Sequence, residues 1–235
     1  MGWQETLTVL GQWAARGESR YVCISNVHMV VTAQQDPVLA GAMGLADMAT
    51  PDGAPVAWML RRLGFPGQPR ISGTELMLAY FRQAEGRGES VFLLGSTEAT
   101  LSELVRVLHK DLSRLRIADN FSPPFREATA LEDATLVDRI NASGARTVWV
   151  SLGCPKQEKW MLAHRGRVDA VMFGVGAAFD FVAGSKRRAP PWMQNSGLEW
   201  LHRLTSEPGR LWKRYLVNNA LFVVGAAHQL LWGDR

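Results

Sequence analysis

The sequence predicts an α/β protein: a mostly parallel sheet flanked by helices, with a helical appendage at the C-terminal end. Three observations carry that reading. Short apolar runs alternate with amphipathic segments as far as residue 186, and strand–helix alternation of this kind builds a parallel sheet covered by helices. The runs are rich in β-branched residues, whereas Leu101, Leu104, Val105 and Leu108 have the spacing of one helix face. After Lys186 the composition turns to Trp and Arg, and the alternation stops.

Taken in order, strands are read at 21–25 (YVCIS), 47–49 (DMA), 91–94 (VFLL), 116–118 (RIA), 147–151 (TVWVS) and 170–173 (AVMF). Helices are read between them at 38–45, 55–63, 74–85, 99–112, 130–142 and 157–163. SPPF at 122–125 and APP at 189–191 are turns rather than linkers, because Pro fixes its own φ and restrains the residue before it. The stretch 216–232 is apolar but broken by Asn218, Asn219, His228 and Gln229. It reads as a helix lying on a membrane or docked on the protein, not as one crossing a bilayer. The expected organisation is a core over 1–186 and an appendage over 187–235.

Composition sets the outer bounds. The 235 residues suit one large domain or a domain with an appendage, and a 47% hydrophobic, 20% charged chain has ample material for a core. A net charge of +4 and a pI of about 9.4 favour an anionic partner: nucleic acid, lipid phosphate or a nucleotide-sugar. Cys23 and Cys154 stand far apart in apolar contexts, which fits thiols in a reducing compartment rather than a disulfide framework. The opening MGWQETLTVL has neither the basic start and apolar run of a signal peptide nor the residues of a myristoylation site.

Chemistry-bearing residues gather where strands are expected to end, the place where parallel sheets bind ligands. In SNVH, Ser25, Asn26 and His28 are candidates to contact a sugar, although a helix cap explains Asn26 equally well. In TPDG, Asp52 is either a general base or the cap of a Pro-Asp-Gly turn, and the turn is the plainer reading. SLGCPKQEKW offers Gly153, Lys156, Gln157 and Glu158 at a helix mouth suited to a phosphate or nucleobase, or else a solvated first turn. FGVGAAFDFVAG has Gly174 and Gly176 at G-x-G spacing, but Phe179 replaces the third glycine and no βαβ unit follows, which excludes a nicotinamide fingerprint. Asp180 either holds ribose or base donors or closes a local turn.

The segment 188–215 interleaves Arg188, Arg203, Arg210, Lys213 and Arg214 with Trp192, Trp200, Trp212 and Tyr215. Arg grips phosphate with paired hydrogen bonds, and Trp and Tyr suit the boundary between apolar and wet. The pattern suggests a diphosphate-bearing substrate presented at a bilayer; a solvated basic face on an ordinary helix uses the same residues. The five histidines are scattered without ligand spacing, and no P-loop, GxSxG or HExxH occurs, so neither metal nor cofactor is expected.

Together these motifs resemble the WecG/TagA/CpsF family of bacterial glycosyltransferases, over about residues 21–222. The resemblance rests on TPDG with Trp58, RISGTELM at 70–77, VFLLGS at 91–96 with its Gly95, and SPPF at 122–125. PKQEKW at 155–160, GVGAAFDFVAG at 174–184, RAPPWM at 188–193 and GLEWLHRLTSEPGRLWKRY at 197–215 complete it. It implies a Rossmann-like core and a metal-independent, inverting transfer from a UDP-sugar to a polyprenyl-diphosphate-linked sugar. It also implies an appendage that closes the active site and reaches the inner face of the cytoplasmic membrane.

Carried onto this sequence, the catalytic base is Asp52, which reverses the preference for a mere turn. Gln157 and Asp180 belong to the nucleotide pocket, with Gly95, Gly153, Lys156 and Gly176 around it. Arg70 binds substrate, and the appendage arginines are Arg203, Arg210 and Arg214. One departure stands out. Where many members have T-x-N at the first strand end, this chain reads Ile24-Ser25-Asn26, with His28 in place of an acidic residue. That leaves the sugar and acceptor open, including whether Ser25 or His28 takes the place of the Thr. A homo-oligomer is also open. The rival is a non-catalytic module binding phospholipid or nucleic acid; the resemblance implies no nucleic-acid partner.

Overall fold

The computed structural model describes residues 1–195 and 197–233, apart from the side chains of Pro191, Asn195, Arg210, Lys213 and Arg214. In chain order the elements are α1 (Trp3–Ala15), β1 (Arg20–Ser25), α2 (Val27–Ala33), α3 (Pro37–Gly44), β2 (Met48–Pro51), α4 (Ala54–Arg62) and α5 (Gly73–Arg87). There follow β3 (Ser90–Gly95), α6 (Glu98–Asp111), β4 (Arg116–Phe121), α7 (Ala130–Ala142), β5 (Thr147–Ser151), α8 (Lys156–His164) and β6 (Val171–Gly174). The chain closes with α9 (Ala178–Val182), α10 (Pro191–Asn195), α11 (Glu199–Ser206) and α12 (Pro208–Trp232).

The six strands form one sheet in the order β2-β1-β6-β5-β3-β4, and every pairing is parallel. All carboxyl ends therefore lie along one edge. Side chains alternate across each strand, so a strand covered on both faces reads as an unbroken apolar run. In β1, Val22 and Ile24 join one core layer, and Tyr21 and Cys23 the other. The first layer centres on Trp149, stacked on Phe173 at 4.2 Å with Phe81 edge-on at 4.9 Å. Leu76, Met77 and Tyr80 of α5 pack on it, with Leu101, Leu104 and Leu108 of α6. The second layer sets Leu39, Val137, Ile140 and Met161 of α3, α7 and α8 against Phe92, Leu94, Val148 and Val150. Cys23 is buried and Cys154 half-buried, and they form no disulfide.

Several bounds differ from the sequence reading. The strand expected at 47–49 is β2, which runs on to Pro51, paired with Ser25. Pro is tolerated there because β2 is an edge strand. The strand expected at 116–118 is β4 and continues through Asp119-Asn120-Phe121, with partly and fully exposed residues alternating. It is the opposite edge, so one side meets water and polar residues do not end it. Helices α1 and α2 are additions. Leu7, Leu10 and Ala14 bury one face of α1, and Asn26 starts α2 by accepting a hydrogen bond from Met29 N at 3.1 Å.

From Pro191 onward the described chain is mostly helical. Helix α12, 25 residues long, packs along α2 and beside α11. Asn218 Nδ2 stands 2.7 Å from His28 Nδ1, so this polar break in the apolar stretch faces the protein. Among the described residues no helix is long and apolar enough to cross a membrane.

Candidate active site

Asp52 stands just past β2 on the edge where the strands end. Its N–H donates to Ser25 O at 2.8 Å, which fixes the turn to the end of β1. Gly53, at φ 93, then starts α4 with no side-chain cap. A left-handed φ favours glycine, and it lets the chain turn into the helix without using the Asp52 carboxylate. The alternative of a capping role is therefore not taken, and the half-buried carboxylate faces two small cavities. One, of about 100 Å³, is bounded by Asn26, His28, Arg70, Trp200, Arg203 and Tyr215. The other, of about 40 Å³, is bounded by Ser72, Thr74, Arg188, Glu199 and Arg203.

The Asp52 carboxyl is raised to about 6. Burial is the leading cause; Arg203 opposes it, Glu199 adds to it, Arg70 opposes and Glu75 adds. A carboxylate poised near neutrality both holds its charge at working pH and accepts a proton readily, as a general base must.

Around Asp52 runs a network of guanidinium and carboxylate groups. Arg70 donates to both Glu75 oxygens at 3.0 and 3.1 Å and reaches Glu199 at 3.4 Å. Arg188 donates to Glu75 and Arg203 to Glu199, each at 2.7 Å. Glu199 thus joins a core arginine to an arginine of α11. Burial works against the Arg203 charge, but Glu199, Tyr215 and Asp52 outweigh it and hold the guanidinium above its usual range. Arg203 lies over the Phe181 ring at 4.8 Å, and its buried Nε has no hydrogen-bond partner among the described residues. A buried N–H without a partner is costly, and this one belongs to a residue lining all three cavities.

The third cavity, about 740 Å³, opens beyond the ends of β3, β5 and β6. Ser96, Gly153, Gly176, Asp180, Lys186 and Arg203 are among its walls. Gly153 and Gly176 turn their loops at φ 78 and 54. Behind them sits Gln157, 3% exposed, whose Oε1 accepts from Gly153 N at 3.2 Å and Gly176 N at 3.1 Å. Its Nε2 donates to buried Glu158 at 2.7 Å. Burial raises the Glu158 carboxyl, while Gln157 and Cys154 lower it.

The expected residues therefore fall into groups. Asp52, Asn26, Arg70 and Arg203 meet around the small cavities, and Gly153, Gly176, Asp180 and Arg203 around the large one. Gln157 lines none of the three and acts on the large cavity through two loops. Gly95 is set back as well: a Cβ there would lie 2.5 Å from Ser151 O, so the neighbouring Ser96 reaches the cavity instead. Lys156 is exposed on the first turn of α8 and lines none of the three. Ser25 is buried, with its Oγ lacking a partner among the described residues, and Thr50 beside it is the same. The side chains of Arg210 and Arg214 lie outside the described residues.

Sequence reasoning passed over Glu75, Glu199 and Lys186. Glu75 carries the signal of an ordinary helix start, three residues after the Ser72 cap. Its carboxylate goes to two arginines instead, one of them 113 residues away.

Comparison with known proteins identifies the family. The model of the glycosyl transferase WecG/TagA/CpsF family matches residues 1–235. A Bacillus spizizenii protein named N-acetylglucosaminyldiphosphoundecaprenol N-acetyl-β-D-mannosaminyltransferase is 28% identical over 202 residues, covering 86% of this chain and 76% of that protein. With a base candidate and an arginine network at the strand ends of a parallel α/β sheet, and a family match from end to end, the chain belongs to the WecG/TagA/CpsF family and is a glycosyltransferase.

Proposed function

We propose that the enzyme moves a hexose or N-acetylhexosamine from a UDP-sugar to a polyprenyl-diphosphate-linked sugar, with inversion and without a metal, in bacterial cell-surface polysaccharide synthesis. The observation that carries this is Asp52, raised to about 6 and lining both small cavities, with Arg203 lining these and the 740 Å³ one as well. In this reading the nucleotide fills the large cavity and the acceptor hydroxyl approaches Asp52. Asp52 takes the hydroxyl proton as the oxygen bonds to the anomeric carbon. The bond from that carbon to the diphosphate oxygen breaks on the opposite face, and UDP leaves with the electron pair. Arg203 meets the growing charge, the kind of preorganised electrostatic help that often dominates catalysis.

The acceptor and the N-acetylmannosamine donor in the name of the Bacillus spizizenii relative are the first candidates for this chain. Helix α12 exposes Leu216, Val217, Val223, Val224, Leu231 and Trp232. A patch of this kind suits peripheral contact with the inner face of the cytoplasmic membrane, where the lipid-linked acceptor would be found.

The test is product analysis with a panel of UDP-sugars and a short-chain lipid-diphosphate sugar acceptor, with and without EDTA. Transfer with inverted anomeric configuration that survives EDTA is expected. No transfer from any UDP-sugar counts against the donor; loss with EDTA and recovery with Mg²⁺ counts against the metal-free route.

A further inference from the structure

Lys186, the last residue of the expected core, lines the 740 Å³ cavity. Its Nζ lies 3.1 Å from Asp180 and 3.7 Å from Glu207, the residue before α12. Its backbone is tied down, since Lys186 N donates to Asp180 O at 3.1 Å and Ser185 Oγ donates to the same oxygen at 3.1 Å. The ammonium is therefore held over the cavity by a fixed backbone and a flexible stem.

Three features make this more than a structural ion pair. Both pairs are partly open to water, and pairs of that kind are weak. Asp180 also accepts from Ser96 Oγ at 3.4 Å, so its carboxylate already faces a polar wall of the cavity. Arg203, the other cation described on this cavity together with Arg187, already gives one Nη to Glu199. A diphosphate brings more concentrated charge than either carboxylate, and a lysine on a flexible stem can turn to it as a point charge.

We infer that Lys186 is a diphosphate-binding residue of the donor site, held by Asp180 and Glu207 until a nucleotide arrives. The exchange leaves Asp180 able to accept hydrogen bonds from donor hydroxyl or N–H groups. This rests on the UDP-sugar reading above.

Titration calorimetry on the full chain with UDP, uridine and inorganic pyrophosphate tests it. Lys186→Met is expected to weaken UDP and pyrophosphate by roughly tenfold or more, the worth of one hydrogen bond to a charged group. Uridine affinity should stay unchanged, and Lys186→Arg should restore most of the UDP affinity. Glu207→Gln removes a competing carboxylate and should tighten UDP and pyrophosphate but not uridine, which tests the idea even if the lysine variants fold poorly. Unchanged UDP binding in Lys186→Met, or equal losses of UDP and uridine, overturns the assignment. Wild-type protein that binds neither uridine nor UDP defeats the nucleotide reading itself, and Lys186 with it.

Discussion

In the proposed mechanism Asp52 concentrates the chemistry in one side chain. Its raised carboxyl gives a signed expectation for pH. Below about 6 the group is protonated and cannot accept the acceptor's proton; above it the base is ready. The kcat/KM profile should therefore rise with pH, with a midpoint near 6 belonging to the free enzyme. Asp52→Asn keeps the shape and loses the base, so turnover should fall by roughly 10²–10⁴ while UDP affinity stays within a few-fold. Near-normal turnover in that variant, or a flat profile through pH 6 in the wild type, removes Asp52 from the role. TPDG offered this residue from sequence, but on its own the motif read more plainly as a turn whose carboxylate caps α4, and the family resemblance reversed that preference. The structure removes the capping alternative, since Gly53 starts the helix without it, and the base role is what Asp52→Asn tests.

Among the elements, the β5–α8 and β6–α9 loops are coupled through one amide. Gln157 Oε1 serves the N–H groups of both Gly153 and Gly176. Gln157→Leu leaves two part-buried donors and the Glu158 carboxyl without that partner, so urea unfolding should register a loss of about 1–3 kcal/mol per stranded group. Weaker UDP binding should accompany it; unchanged stability and binding would mean the loops hold themselves. Helix α12 shows a different division. Asn218 meets His28 on the protein side, while Leu231 and Trp232 are exposed. One helix is thus both docked and available to a surface, two options that the sequence set against each other. Arg210, Lys213 and Arg214 lie in its first two turns. Each basic residue near an anionic bilayer contributes about 1 kcal/mol. Neutralising all three should weaken liposome binding by roughly two orders of magnitude, and salt alone should release the wild type. Release by detergent only would mean the helix is embedded.

At the scale of the molecule, the arginine network spans the proposed boundary at residue 186. Arg70 and Glu75 come from the first part, and Arg188, Glu199 and Arg203 from the helical tail. Removing everything after Lys186 should leave a folded sheet with its two core layers, since those layers draw almost wholly on earlier residues. The truncated chain should still bind UDP and barely turn over, because Arg203 would be gone. It should also self-associate through the face of α2 that α12 now covers. Circular dichroism and UDP titration check this: outright unfolding would mean the tail belongs to the core, and full activity would leave its arginines without a catalytic part.

The class of fold was legible in the sequence alone, as was the strand-end edge at which the proposed site lies. Strands buried on both faces are written as short apolar runs, so the β1, β3, β5 and β6 regions were legible within a residue or two. The edge strands were cut short because polar residues such as Asp119 and Asn120 are permitted where one side meets water. Motif order carried the family. Tertiary structure decided which motif residues touch a cavity and which stand behind it. Gly153 and Gln157 lie four residues apart, yet one is wall and the other is support, because Gly153 sits in the loop before α8 and Gln157, in the first turn of that helix, reaches back to hold the loop's N–H. It also decided the partners of charge. Glu75 meets Arg188 across 113 residues, and no local pattern encodes a pairing that only the closing of the chain brings together.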